Sequence, residues 1–250
     1  MLFRSLEVYG ARTSEGLRAA VFRSNNRPGA TPLELSFDWA IEEDSDHYPF
    51  IAAKITTVMF HTGLHDQYHR PSDDVQIVNF DGIEPVARLT LDFVTGLAND
   101  PGQPRRFRPQ ARQESDATRR SLEAPPAGAS PAASATPAAQ QAAGQSLPGA
   151  APRPRWGIGT REDPNEPTAP VIVRITADSP AARAGIALGD RVITIDGQSI
   201  GNQADMVAKL AAAGDRVALE VDRKGRLVPI AMDMATDRGE ASPGEVLPAP

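Results

Sequence analysis

All four histidines of this 250-residue sequence, His47, His61, His65 and His69, fall between positions 47 and 69. Imidazole is both a metal ligand and a base that works near neutral pH, so such clustering points to chemistry. Three of the four are spaced four apart, a pattern that would stack them on one helix face. The local sequence argues otherwise. Residues 55–60 are β-branched and apolar as in a strand, Gly63 favours a turn and Pro71 follows closely, so His61, His65 and His69 are placed on a loop leaving a strand's carboxyl end. That is where α/β sheets gather ligand chemistry. The chain has no cysteine, so a disulfide framework is excluded and any bound metal must use histidine, aspartate or glutamate.

The elements that must carry this loop follow from hydrophobic period. Residues 6–10 and 33–39 read as strands, 14–24 as a helix with Leu17, Ala20, Val21 and Ser24 in helical spacing, and 80–98 as a helix with its stripe at Ile83, Val86, Ala87, Leu91 and Val94. Alternating strands and helices predict a mostly parallel α/β sheet over residues 1–100. From 101 the composition shifts: six arginines occur between 105 and 120, and 124–154 is almost wholly Ala, Pro, Gly, Ser and Gln, with Leu147 its one large apolar residue. Such a stretch has little to bury and its prolines interrupt any helix, so 101–154 is expected to be a disordered linker. Beyond it, strands at 171–175 and 191–195, helices at 180–185 and 203–213, and a hairpin of 217–221 with 227–232 turning at 223–225 outline a second domain over 155–234. The tail 235–250 is polar and proline-rich, and is expected to fray.

A net charge of −6 with a sequence pI near 5.3 argues against a general nucleic-acid binder. The 40% hydrophobic content and mean hydropathy of −0.33 suit a soluble chain able to bury a core. No run approaches the ~20 apolar residues of a membrane span, so none is expected. The N-terminus shows no basic, apolar and small-residue export pattern.

Three segments together resemble the C-terminal part of family twenty-eight metallopeptidases, the co-catalytic zinc aminopeptidases: Ser45-Asp-His-Tyr-Pro-Phe50, Phe60-His-Thr-Gly-Leu-His-Asp-Gln-Tyr-His-Arg-Pro-Ser-Asp-Asp74 and Val78-Asn-Phe-Asp-Gly-Ile83. The resemblance covers about 6–98 and implies part of a three-layer α/β/α zinc-exopeptidase domain, in an extracytoplasmic protein. It also implies two zinc ions held by two histidines and three acidic residues in the complete enzyme. His69 matches the family's last metal ligand, in its Tyr-His-x-x-x-Asp segment, with Asp73 placed to orient it. Tyr68 matches a position whose hydroxyl donates to the oxyanion in some members, though a packed loop tyrosine remains the alternative. Asp46 and His47 match a supporting motif near the site, while His61 and His65 read as loop histidines and Glu42-Glu43 as a solvated loop. Lys54-Ile55-Thr56 departs from the family's Gly-Ile-Pro. The remaining ligands have no counterpart in residues 1–44. The chain alone is therefore expected to hold no zinc pair and to be inactive, as part of a longer peptidase. The alternative is a non-catalytic peptide-binding or adaptor protein with a degenerate peptidase-like segment.

The run from Ser179 to Ile200, with Gly185, Gly189, Asp190 and Asp196-Gly197 at its turns, is similar to bacterial PDZ domains of the HtrA type. That resemblance implies a small α+β domain, a partly open β-barrel with two helices, that binds peptides or protein C-termini as an added strand. Trp156, Gly157, Ile158 and Gly159 match its carboxylate loop and first binding strand. Met206 matches the facing helix wall, whereas Leu210 reads as core. On this reading a bulky residue at Gly157 disturbs binding rather than folding, and at Gly189 mainly stability.

Overall fold

The computed structural model describes residues 5–102, 105–125 and 155–234; the expectations for 126–154 and 235–250 lie outside the described residues. The N-terminal unit opens with β1 (Ser5–Tyr9), α1 (Leu17–Asn25), β2 (Glu34–Phe37), α2 (Tyr48–Ala52) and β3 (Met59–His61). A 3-10 turn at Val75–Ile77 then leads into α3 (Phe80–Ala98). The sheet runs β2-β1-β3, with β1 parallel to β2 and antiparallel to β3, so it is mixed rather than mostly parallel. Register pairs Leu6 with Leu35 and Val8 with Phe37, which puts these side chains on one face. Leu17 and Val21 of α1 and Leu89 and Phe93 of α3 close over that face as one core.

α3 departs from its expected orientation. Gly82, Leu89 and Phe93 are its buried positions, whereas Phe80, Ile83, Leu91 and Val94 are exposed by 52–65%. Most of the expected stripe faces outward, Val86 alone of it packing against the core, because the helix is apolar on both sides and only one side finds the sheet. The strand expected at 55–60 shortens to β3, after Lys54 takes a left-handed turn at φ 61°.

Residues 105–125 are not a structureless linker. They form a 3-10 turn at Pro109–Gln113 and α4 (Asp116–Glu123), capped by the Ser115 side chain, which accepts from Thr118 N. Composition misled here because the arginines that suggested solvation are paired: Arg108 and Arg12 both grip Glu114, and Arg105 donates to Asp100.

The C-terminal unit comprises β4 (Ile158–Asp163), β5 (Glu166–Ile175), α5 (Pro180–Arg183), β6 (Arg191–Ile195), β7 (Gln198–Ser199), α6 (Gln203–Ala212), β8 (Arg216–Arg223) and β9 (Arg226–Asp233). Its sheet order is β4-β5-β6-β8-β9 with β7 beside β6, and all these pairings are antiparallel. The β8–β9 hairpin turns on Lys224-Gly225, both at positive φ (52° and 79°), the two-residue geometry that matches strand twist.

Candidate functional site

His61 closes β3 instead of lying on the loop as expected, and the loop that follows carries His65, Tyr68 and His69, as Gly63 and Pro71 predict. His61 Nδ1 lies 3.3 Å from Glu7 Oε2 and 3.1 Å from Gly63 N, which anchors the loop's first turn to β1. His65 Nε2 lies 3.8 Å from Asp73 Oδ2, so the carboxylate expected to orient His69 sits beside His65 instead. The His69 ring stacks on Tyr68 at 4.0 Å and 18°, and Tyr68 is 46% exposed. His69 holds φ 59°, a left-handed conformation that costs energy in a residue with a β-carbon and that concentrates at functional sites.

His47 is different: it is 4% exposed, 6.2 Å from the Tyr9 ring, and neither ring nitrogen has a hydrogen-bond partner. Asp46, next to it, is exposed. Burial, followed by the hydrogen bond to Glu7, pushes the Tyr9 hydroxyl up to about 12, so it remains a donor. Among the described residues no three His, Asp or Glu side chains converge as a metal-holding group. These residues by themselves therefore do not fit a zinc pair, which needs multiple donors around two ions about 3.5–4 Å apart.

In the C-terminal unit β4 and β9 are the two end strands of the sheet, and the outer edge of β4 carries no further strand among the described residues. Gly157 O accepts from Thr176 N, so by antiparallel alternation the N–H and C=O of Ile158 turn away from β5. The register shifts after Gly159, and Thr160 then faces Ile172, whose own N–H and C=O bond to Asp190 and Gly189. α6 flanks this edge. Trp156, Ile158, Met206 and Leu210 are at most 8% exposed and belong to one core, with Trp156 Nε1 donating to Leu210 O at 2.8 Å. They form the floor under the edge. Gln203 and Val207, one helical turn apart, are less covered, Val207 being 56% exposed.

Gly157 sits at φ 76°, and a Cβ there would lie 2.2 Å from Ser179 Cβ. A bulky residue would push out the Ser179 side chain that caps α5, so Gly157 is required by the fold, contrary to the sequence reading. Gly189 at φ 84° has open space around it, and only its backbone conformation resists substitution.

Sequence reasoning missed the residues that join the two units. Arg12 donates to Glu114 and to Asp163, and Arg18 donates to Glu166 and to Asp222, while Arg191 reaches both Asp163 and Glu166. Arg12 lies 3.6 Å over the Trp39 ring and Arg18 lies 4.1 Å over Phe37. Burial alone would raise Asp163, but Arg12 and Arg191 hold it well below the usual carboxylate range. Burial lowers Arg18, yet Asp222 and Glu166 more than reverse this, whereas Arg191 is lowered by burial and by facing Arg18. Backbone contacts continue the seam: Leu35 N donates to Lys224 O, and Asn25 and Asn26 both donate to Gly225 O.

Residues 5–94 match the model of peptidase family M28, and residues 154–233 match that of the PDZ domain. A curated protein of Mesorhizobium japonicum named "Putative zinc metalloprotease" is 37% identical over 62 residues, 24% of this chain and 17% of that protein, so the chain spans a minor part of its length. Among solved structures, an HtrA-type protease AlgW with a decapeptide is 24% identical over 31% of this chain and 27% of its own, with a TM-score of 0.30. The HtrA3 PDZ domain bound to a phage-derived ligand is 21% identical over 31% of this chain and 80% of its own, with a TM-score of 0.28. The chain thus joins a segment of peptidase family M28, at residues 5–94, to a PDZ domain at 154–233.

Proposed function

We propose that the C-terminal unit binds peptide or protein C-termini as a strand added along β4, with the terminal carboxylate received by backbone amides around 156–159. The observation that carries this reading is the unpaired outer edge of β4 lying beside α6, over an apolar floor. Affinity is modest, since a few residues of added strand bury little surface. Titrating the chain with a peptide ending in a free apolar residue, and with the same peptide amidated, tests it. The free acid should bind more tightly because amidation removes the charge that the amides satisfy. Equal affinities would discard carboxylate capture.

For the N-terminal unit we propose a role in zinc-dependent peptide hydrolysis of the aminopeptidase type, outside the cytoplasm, in which this chain contributes His69 as a ligand, Tyr68 at the reacting carbonyl, and Asp46, His47 and Asp73 in support. The M28 match and the exposed, strained Tyr68-His69 pair favour it. So do the uncovered apolar side chains of α3, which suit packing against further protein. Since no metal-holding group of three forms among the described residues, the remaining donors come from elsewhere in this reading. The second reading, a non-catalytic adaptor, rests on that same observation. Aminoacyl-anilide assays with added zinc separate them: the chain alone should release no product, and adding a segment that supplies the other donors should restore turnover only under the first reading.

A further inference from the structure

We propose that the outward face of α3 is a self-association surface, on which two copies of this chain pack their α3 helices antiparallel about a two-fold axis through Ala87. The uncovered apolar positions of this helix are ordered, not scattered. Phe80, Ile83, Ala87, Leu91 and Val94 are all exposed, the four large ones by 52–65%, and they lie opposite Gly82, Leu89 and Phe93, which the unit buries. Phe80 and Val94 stand seven residues either side of Ala87, and Ile83 and Leu91 stand four. Those separations are about two turns and one turn, so all five side chains share one stripe. An antiparallel second copy then sets Phe80 against Val94, Ile83 against Leu91 and Ala87 against itself. This is the reciprocal matching that a two-fold interface demands, with the smallest residue at the crossing point, where two helices come closest.

Charge agrees with this direction. One flank of the stripe carries Glu84 and Arg88, an exposed pair 2.8 Å apart within the chain. About the axis, each Arg88 falls between its own Glu84 and Glu84 of the second copy. Exposed pairs add little affinity, so these charges select the orientation and the apolar stripe supplies the attraction. Five side chains from each copy make a contact at the small end of specific interfaces, about 1,200 Å² or less in total, which suits a reversible association and not an obligate dimer. The dilute chain is therefore a monomer with its stripe bare, and unfolding measured there reads the single fold. Leu64, Val75 and Val78, nearer the histidine loop, are exposed but outside the stripe, so self-association and completion of a metal centre there use different residues.

Sedimentation velocity of the full chain across about 1–100 µM should show a shift from monomer toward dimer. Leu91→Gln enters the interface twice and should weaken the dimer about 10-fold or more. The axis has its own test. The chain has no cysteine, so in Ala87→Cys the only thiols are the two that meet across the axis, and diamide should take their hydrogens and leave a disulfide-linked dimer. Ala98→Cys, also exposed and three turns further along the same stripe, puts its two thiols about 33 Å apart in the antiparallel pair and should stay monomeric over the same time. A dimer that Leu91→Gln leaves intact, equal crosslinking of the two cysteine variants, or a chain monomeric throughout would each overturn the proposal. The last result would give the stripe to a different polypeptide.

Discussion

The charged residues between the units are where single side chains matter most. Asp222 is fully buried and receives Arg18 at 2.6 Å as well as Gly225 N at 2.8 Å. Arg18→Ala leaves that carboxylate without its cation, and removing one partner of a buried pair costs about 3–5 kcal/mol. Urea unfolding at pH 7 should show a loss of that order, while Arg88→Ala, whose pair with Glu84 is exposed, should change stability by less than about 0.5 kcal/mol. Acid sensitivity has a definite sign. Asp163 and Glu114 both have folded-state pKa values held down: burial opposes this, but Arg12 and Arg191 prevail at Asp163, and Arg12 and Arg108 at Glu114. A depressed carboxylate contributes stability that is complete above its unfolded value, about 4, and is lost as pH falls toward its folded value. Stability should accordingly be level between pH 7 and about 5 and drop below about 4. Asp163→Asn should be less stable at pH 7 and show a shallower acid limb; an unchanged limb would place the acid-labile pairs elsewhere.

At the scale of elements, α3 shows what the sequence could and could not specify. Its length and helical period are readable, but a helix apolar on two faces does not say which face meets the sheet. Substitution can separate the faces: Leu89→Ala should cost about 2–5 kcal/mol as a core truncation. Leu91→Gln should alter unfolding by no more than about 0.5 kcal/mol. Equal costs would mean that Leu91 is covered in solution. The β8–β9 hairpin was legible because Lys224-Gly225 carries its own turn signal between alternating apolar runs. The β4–β5 hairpin was not: the sequence reading placed a strand at 171–175, whereas β5 begins at Glu166 in a stretch with prolines at 164, 167 and 170. Its two-residue turn, Pro164-Asn165, is held by Asn165 N donating to Asp163 Oδ1. Gly63 and Pro71 placed His65 and His69 on the loop, but His61 belongs to β3. Which histidine Asp73 meets depends on side-chain directions that spacing does not encode.

For the whole molecule, the consequence is that the PDZ domain is held in a fixed orientation on the peptidase segment. Arg12 and Arg18 reach partners 151 and 204 positions away, separations that leave no local signal in the sequence, and they insert between elements of the other unit. With Arg108 and Arg191 they balance Glu114, Asp163, Glu166 and Asp222 charge for charge, as a buried network must. The turn of the β8–β9 hairpin closes the far side: Gly225 lies where a Cβ would come within 2.4 Å of Leu35 Cβ, and Lys224 pairs with Glu34. These contacts, rather than the peptide connection, should hold the units together. Inserting a specific protease site between residues 130 and 150 and cutting it should leave the two pieces co-eluting as one species in gel filtration at pH 7. The same cut in the Arg12→Ala, Arg18→Ala double variant should release them, because Asp222 then has no arginine and Glu114, Asp163 and Glu166 share only Arg108 and Arg191. Wild-type pieces that separate at once would show that the seam is too weak to orient the two units, and the β4 edge would then stand in no fixed relation to the histidine loop.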